Sequence, residues 1–242
     1  MKTSHSDQKN FDPIDEVLAS TGISIPQGAN ELLHTYFSEL MEWNRRMDLT
    51  GFKDLGTMVI SHLGDTLTVI PLLDKKSHAR ILDIGTGAGI PGLLIKILRP
   101  EVHMTLVDAR RRKVSFLRYI ISKLGLQGVE AIHSSLTPHR PCPQLPQGDY
   151  DVVISRAVGD LLALARLAGP YLAKQGRFIL MKGPKGVEEI HRFGPMLEKE
   201  GWSIEYVMRS APITRAKRVI IIGRLLAHKT RHNPLDPSRG GQ

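Results

Sequence analysis

The sequence predicts an α/β protein: a doubly wound, mostly parallel sheet, closed by a C-terminal antiparallel hairpin and preceded by an N-terminal helical cap. Three observations carry this expectation. Short apolar runs alternate with helix-period segments between residues 80 and 200. A glycine-rich turn follows the first of those runs at once. The last two apolar runs have no helical segment between them.

The polar residues 1–10 are expected to be a flexible tail. Asp12 stands where an N-cap belongs, Pro13 takes the first helical position, and Gly22 marks the end of a short helix. A longer helix is predicted from Pro26, because Leu32, Leu33, Tyr36, Phe37, Leu40, Trp43 and Met47 recur at helical spacing. A third covers 57–70 and stops before Pro71. Together, residues 11–72 form the cap. The period then changes. Arg80 to Ile84 form a strand, followed by a helix over 91–98, a strand over 103–108, a helix over 112–124 and a strand over 129–133. Residues 134–149 are a Pro-rich connection, after which come strand 150–155, helix 160–168, strand 176–182 and helix 187–200. Segments 203–208 and 218–225 are strands that must pair antiparallel, which ends a domain spanning 73–226. Residues 227–242 hold Pro, Gly, Arg and His with little apolar content and are expected to be a disordered basic tail.

Composition narrows the function. The 242 residues suit one large domain with a small helical extension, and an apolar share of 41% supports a sizeable core. Lys and Arg number 33 against 24 Asp and Glu, a formal net charge of +9, which points to a polyanionic partner because Lys and Arg gain by displacing phosphate counterions. No apolar run reads as a membrane span, and the N-terminus lacks an apolar signal region, so a cytoplasmic protein with no membrane partner is expected. Cys142 is the only cysteine, which excludes an internal disulfide and a cysteine-built metal site. His34, His62 and His103 have no partner at metal-ligand spacing and read as surface or capped histidines; no metal is expected.

The central motif is Asp83-Ile84-Gly85-Thr86-Gly87-Ala88-Gly89-Ile90-Pro91-Gly92, placed between a strand and a helix, where a doubly wound sheet binds its ligand. It can be parsed in two ways. Gly87, Gly89 and Gly92 match the G-x-G-x-x-G of dinucleotide sites. Gly85, Gly87 and Gly89, with Asp83 ahead of them, match the D-x-G-x-G-x-G of methyltransferases. A dinucleotide brings a pyrophosphate that wants bare amides at a helix N-terminus. S-adenosylmethionine brings an ammonium and a sulfonium instead, so the carboxylate of Asp83 favours the second parse. Asp108, at the end of the second strand, can accept both ribose hydroxyls, which either cofactor presents, and can also cap the next helix.

Arg110, Arg111, Arg112 and Lys113 follow directly. Cations at a helix N-terminus oppose its dipole and cost about 0.3–1 kcal/mol each. A run that local stability disfavours suggests phosphate contact, with a solvated first turn as the alternative. Arg156 and Lys182 end two later strands, where side chains line the ligand crevice. Arg156 could hold the cofactor, a phosphate or a guanine edge; Lys182 could do similar work as a point charge; a surface ion pair is the alternative for each.

Over about residues 26–225 the chain resembles the RsmG (GidB) family of 16S ribosomal RNA guanine-N7 methyltransferases. The resemblance rests on Trp43-Asn44-Arg45, Leu49-Thr50, His62 ahead of Asp65-Thr66-Leu67, and the run Leu82 to Gly92. Ile154-Ser155-Arg156-Ala157, Lys182-Gly183 and Arg218-Val219 complete it. It implies a Rossmann-like class I methyltransferase sheet, S-adenosylmethionine as cofactor, and 16S ribosomal RNA or the small ribosomal subunit as partner; a monomer is expected, though the sequence does not show the oligomeric state. By position it implies that Gly85 and Ile90 touch the cofactor, that Leu136 and Thr137 lie by its adenosine, and that Arg156 faces the site. One departure stands out: the family usually has Glu where this chain has Thr137, and a Pro-rich insert, 138–146, follows. The implied reaction is attack by guanine N7 on a methyl carbon. N7 carries no proton, so no general base is expected, and Arg156 and Lys182 are positioning groups.

Overall fold

The computed structural model describes residues 12–73, 78–138, 140–156 and 159–226. The tails expected at 1–10 and 227–242 lie outside those residues.

Three helices come first: α1 (Pro13–Ala19), α2 (Ala29–Met47) and α3 (Leu55–Leu67). Asp12 caps α1, its carboxylate accepting from the amides of Ile14 and Asp15, as the Asp-Pro pair predicts. The sequence expectation began α3 two residues late. Asp54 is its N-cap, accepting from the Thr57 amide at 2.7 Å, and that cap fixes the start at Leu55. α3 also stops earlier than 70. The Thr68 hydroxyl donates to Asp65 O, and Pro71 sits in a 3-10 turn, Ile70–Leu72.

The strands and helices then alternate: β1 (Arg80–Ile84), α4 (Gly92–Leu98), β2 (His103–Asp108), α5 (Arg111–Lys123), β3 (Val129–His133), β4 (Tyr150–Arg156), α6 (Leu161–Ala168), β5 (Leu172–Lys182), α7 (Gly186–Lys199), β6 (Trp202–Ser210) and β7 (Lys217–Leu225). They form one seven-stranded sheet in the order β3-β2-β1-β4-β5-β7-β6. The first five strands pair in parallel; β7 runs antiparallel to both β5 and β6. β5 begins four residues earlier than 176 and reaches that point through an irregularity in its register with β4 between Tyr150 and Val152.

Alternation along the strands divides the core in two. Ile81, Met104, Leu106, Ile154, Ile179, Met181 and Ile220 face a cluster shared with α1 to α5. Leu82, Ile84, Val107, Val153, Phe178, Leu180 and Ile221 face a second one, with α6 and α7. The sheet is therefore covered on both sides, which suits its parallel strands. The periodic stripe of α2 delivers Leu33, Tyr36, Phe37 and Leu40 to the first cluster, each fully buried and worth roughly 1.5–3 kcal/mol. The stretch Leu55–Leu72 has the length and mean hydropathy (1.2) of a membrane span, which corrects the expectation that no run does. It is 61% buried inside the protein, and His62 and Asp65 turn inward from it to meet the strands.

Candidate functional site

The site grows out of the connection between β1 and α4. Gly85, Gly87 and Gly89 take φ of +69°, +63° and +99°, which side chains with a Cβ adopt at a cost. The amides of Gly85 and Thr86 both donate to Val107 O, at 2.8 and 3.1 Å, and lash the loop to β2. From the other side, the hydroxyl of fully buried Tyr36 donates to Ala88 O at 2.9 Å, and that burial holds the phenol well above its usual pKa. Gly92 makes a close approach possible: a Cβ there would lie 2.5 Å from the Leu106 side chain and 2.6 Å from Asp83 Oδ2.

Asp83 lies underneath this loop with no exposed surface. Its Oδ2 accepts from the Thr86 hydroxyl at 2.7 Å and from the Gly92 amide at 2.8 Å. Its Oδ1 is buried with no hydrogen-bond partner among the described residues. Burial pushes its pKa up to about 7, against the downward pull of the Thr86 and Gly92 bonds. The first amide of α4 is thus already spent on a carboxylate. A pyrophosphate would find that helix terminus closed and negatively faced.

Above the loop opens a crevice of about 320 Å³. Ile84, Gly85, Val107, Asp108, Arg110 and Lys113 line it, together with Ser134, Ser135, Leu136 and Leu167. Asp108 does two jobs. Its Oδ2 accepts from the Gly87 amide at 2.9 Å and its Oδ1 from the Arg110 amide at 2.8 Å. A carboxylate oxygen offers two acceptor positions, so each keeps one for a hydroxyl. These residues fit an adenosine: a diol acceptor, apolar side walls, and bare glycine backbone. Leu136 stands on the wall; Thr137 does not, and instead forms an isolated bridge with Arg140. Ile90 is also off the wall, buried in the cluster shared with the N-terminal helices.

The basic run divides. Arg110 and Lys113 border the crevice, and Lys113 Nζ lies 3.5 Å from where a Cβ on Gly87 would stand. Arg111 and Arg112, both exposed, join Arg110, Lys113, Met47 and Asp48 around an adjoining hollow.

Arg156 and Lys182, grouped by sequence as strand ends, face opposite sides of the sheet. Lys182 donates to Gly159 O at 2.7 Å and pairs with Glu189 at 2.9 Å, on the side of α6 and α7. Glu189 in turn accepts from the Leu161 amide. Arg156 sits on the α2–α3 side. Its Nη1 donates to His62 Nδ1 at 3.0 Å and its Nη2 lies 3.7 Å from Asp65, whose other oxygen accepts from Arg218 Nε at 2.7 Å. Two arginines share one buried carboxylate. His62, expected to be an ordinary surface or capped histidine, is buried, bonded through Nε2 to the Thr50 hydroxyl at 2.9 Å, and edge-on to Phe52. Burial first, then the Arg156 charge, lowers its pKa to about 3. Asn44 holds the same turn, donating to Phe52 O and accepting from the Thr50 amide. Metal-ligand spacing could not reveal this role; the coincidence of Asn44, Thr50, His62 and Asp65 in the resemblance was the available signal.

Elsewhere, Asp12, Asp15 and His34 bring ligand-type atoms within 4.8 Å of one another, a grouping that spacing along the chain does not display. Asp12 there caps α1 and pairs with His34 at 3.2 Å, and Asp15 accepts from Asn30.

Comparison with known proteins agrees with this geometry. The family described as rRNA small subunit methyltransferase G (GidB) matches residues 29–211. The ribosomal RNA small subunit methyltransferase G of Syntrophotalea carbinolica is 35% identical over 216 residues, covering 86% of this chain and 95% of that protein. Its counterpart in Desulfotalea psychrophila is 35% identical over 205 residues, covering 83% and 92%. Among solved structures, the YcgJ protein of Bacillus subtilis superposes with a TM-score of 0.54 at 15% identity, over 69% of this chain and 100% of that one. A SAM dependent methyltransferase of Aquifex aeolicus gives 0.51 at 20% identity, over 67% and 92%. Those two likenesses establish the class of fold. With the family matched across the glycine loop, both flanking strands and the His62–Arg156 network, the chain belongs to the rRNA small subunit methyltransferase G (GidB) family.

Proposed function

We propose that this protein transfers the methyl group of S-adenosylmethionine to N7 of a guanine in 16S ribosomal RNA, working as a monomer in the cytoplasm on the small ribosomal subunit. The observation that carries the reading is Asp108, which lines the crevice and accepts from the Gly87 amide of the adjoining loop, beside an α4 terminus that Asp83 has closed to phosphate. A ribose diol suits that arrangement; a pyrophosphate does not.

Gly85, Gly87, Asp108 and Leu136 hold the cofactor, Asp83 attracts its ammonium from beneath the loop, and Gly89 and Ile90 shape that loop. Lys113, beside Gly87, meets the cofactor's carboxylate, and Thr137, bridged to Arg140, steadies the chain next to Leu136. When bound, the cofactor supplies an electrophilic methyl group. Because guanine N7 has a free lone pair and no proton, the protein's task is alignment and proximity, which can contribute up to roughly 7–11 kcal/mol. Arg156, locked between His62 and Asp65, positions the base. Lys182 acts at one remove, fixing the Gly159 carbonyl at the head of α6. Arg110, Arg111 and Arg112 hold flanking phosphates, and Lys113 adds its charge to theirs. The target base must be unstacked to reach the crevice. Residues 11–72 act as the cap through which the RNA is presented.

The test is to incubate the protein with methyl-labelled cofactor and small subunits that lack the modification, then map the label. Label at N7 of one guanine is expected. Label on a ribosomal protein, or on an exocyclic amine, would overturn the assignment.

A further inference from the structure

Beyond the crevice, a second hollow of about 360 Å³ lies between α2 and α5, walled by Glu39, Glu42, Trp43, Arg46, Met47 and Tyr119. It neighbours the hollow of the arginine run, which in turn neighbours the crevice. Met47 also borders the hollow of the arginine run, and Arg110 and Lys113 border both that hollow and the crevice. We propose that the Trp43–Tyr119 hollow is a stacking platform for an unpaired base of the RNA strand, adjacent to the nucleotide that occupies the crevice. The proposal rests on the RNA reading above.

Two kinds of chemistry meet there. Trp43 and Tyr119 lie 4.9 Å apart between ring centroids at 33°, and Tyr119 is 37% exposed although it is an aromatic residue on a helix whose core stripe lies elsewhere. Any base offers a π-face to such a pair, so the contact needs no sequence. The surroundings are cationic. The two carboxylates on the wall are already engaged: Glu39 with Lys123 and the Tyr119 hydroxyl, Glu42 with Arg45 and Arg46. Arg45 and Arg46 are mostly exposed, so they can exchange Glu42 for phosphate at little cost. Along α5, Arg112, Tyr119 and Lys123 follow one face at i, i+7 and i+11, and Lys113 precedes Tyr119 by about 9 Å of helix rise. A strand leaving the crevice along the cations therefore passes over the aromatic pair. An RNA duplex has no free base face to place there, which selects a single strand.

The chain has two tryptophans, and the other, Trp202, is buried at 5% exposure, so quenching of emission reports on Trp43. The full protein is titrated with a short oligoadenylate and with its abasic counterpart. The base-bearing strand is expected to quench emission, also in a Trp202→Phe background, and to bind roughly ten-fold tighter than the abasic one. Tyr119→Leu should lose that factor, keep the wild-type salt slope, since no charge is removed, and keep S-adenosylmethionine affinity and melting temperature. Trp43→Phe, which retains a ring for packing, should bind the oligoadenylate with intermediate affinity. Equal affinity for the two strands without quenching would overturn the platform while leaving the methyltransferase reading intact. Loss of cofactor binding in the unaltered protein would instead sink that reading. A dimer at working concentration that Tyr119→Leu dissolves would show a second copy covering the hollow, and would also overturn the proposal.

Discussion

Arg156 Nη1 donates to His62 Nδ1 at 3.0 Å, and that single contact decides the state of the imidazole. A guanidinium has only donors, so Nδ1 must present its lone pair and Nε2 must carry the proton, which it gives to the Thr50 hydroxyl. Protonation would set a second proton against the guanidinium. The arrangement requires a neutral ring, and burial, then the Arg156 charge, lowers its pKa to about 3.

That depression fixes a dependence on pH. Between about 6.5 and about 3 the unfolded chain takes up a proton that folded His62 refuses, so stability falls as pH drops through that window and is untouched above it. In His62→Asn the side-chain oxygen still accepts from Arg156 but cannot titrate. Its melting temperature is expected to fall less steeply below pH 6.5 than that of the native chain. Parallel curves in a pH series of thermal melts would refute the buried neutral histidine.

Asp83 carries the opposite sign. With its folded pKa near 7 and an ordinary value near 4 when unfolded, it costs stability progressively as pH rises from about 4 to about 7. Asp83→Asn keeps an acceptor for Thr86 and Gly92 and removes the buried charge. Denaturation at pH 8 is expected to show a gain on the order of 1 kcal/mol or more. Calorimetry should at the same time show weaker S-adenosylmethionine binding, by roughly ten-fold, because a carboxylate in a low-dielectric site attracts the cofactor's ammonium. Unchanged affinity would make Asp83 a fastener of the loop and nothing more.

Two glycines of the loop should fail differently. At Gly87 only the flexible end of Lys113 is near, so Gly87→Asp is expected to fold, with a modest loss from its positive φ, and to lose cofactor binding. At Gly92 an added methyl meets Leu106 and Asp83 inside 3 Å. Gly92→Ala should therefore cost about 1–3 kcal/mol of stability, read from urea midpoints. A fully stable Gly92→Ala would contradict the close packing of α4 on the sheet.

Arg111 and Arg112 are exposed and stand clear of the crevice wall, whereas Arg110 and Lys113 belong to it. The double variant to Ala should thus separate RNA affinity from cofactor affinity, which a change at Arg110 would confuse. For single-stranded RNA the slope of log K against log salt is expected to shrink by about 1.4, and cofactor binding to stay as it was. A slope that does not move would remove these two arginines from the phosphate contacts.

Local order was legible in the amino-acid sequence because it is written in spacing. The two periods of apolar residues, the Asp12-Pro13 start of α1, the glycine run after β1 and the missing helix between the last two strands each act within a few residues, and they suffice for element order, sheet direction and the location of the crevice. Side-chain partnership is another matter, since it depends on which faces the sheet turns together. Arg156 and Lys182 look alike at the ends of neighbouring strands, yet a one-residue difference in register sends one to His62 and the other to Glu189. His62 and Arg218, separated by most of the chain, converge on Arg156 and Asp65 only when α3 is packed across β4 and β7. Lys113 reads as one more cation in a basic run until the start of α5 sets it beside Gly87. The physical reason is range: periodicity and capping are governed by neighbours along the backbone, but the neutral histidine and the carboxylate shared by two arginines arise from contacts that exist only once the layers have met.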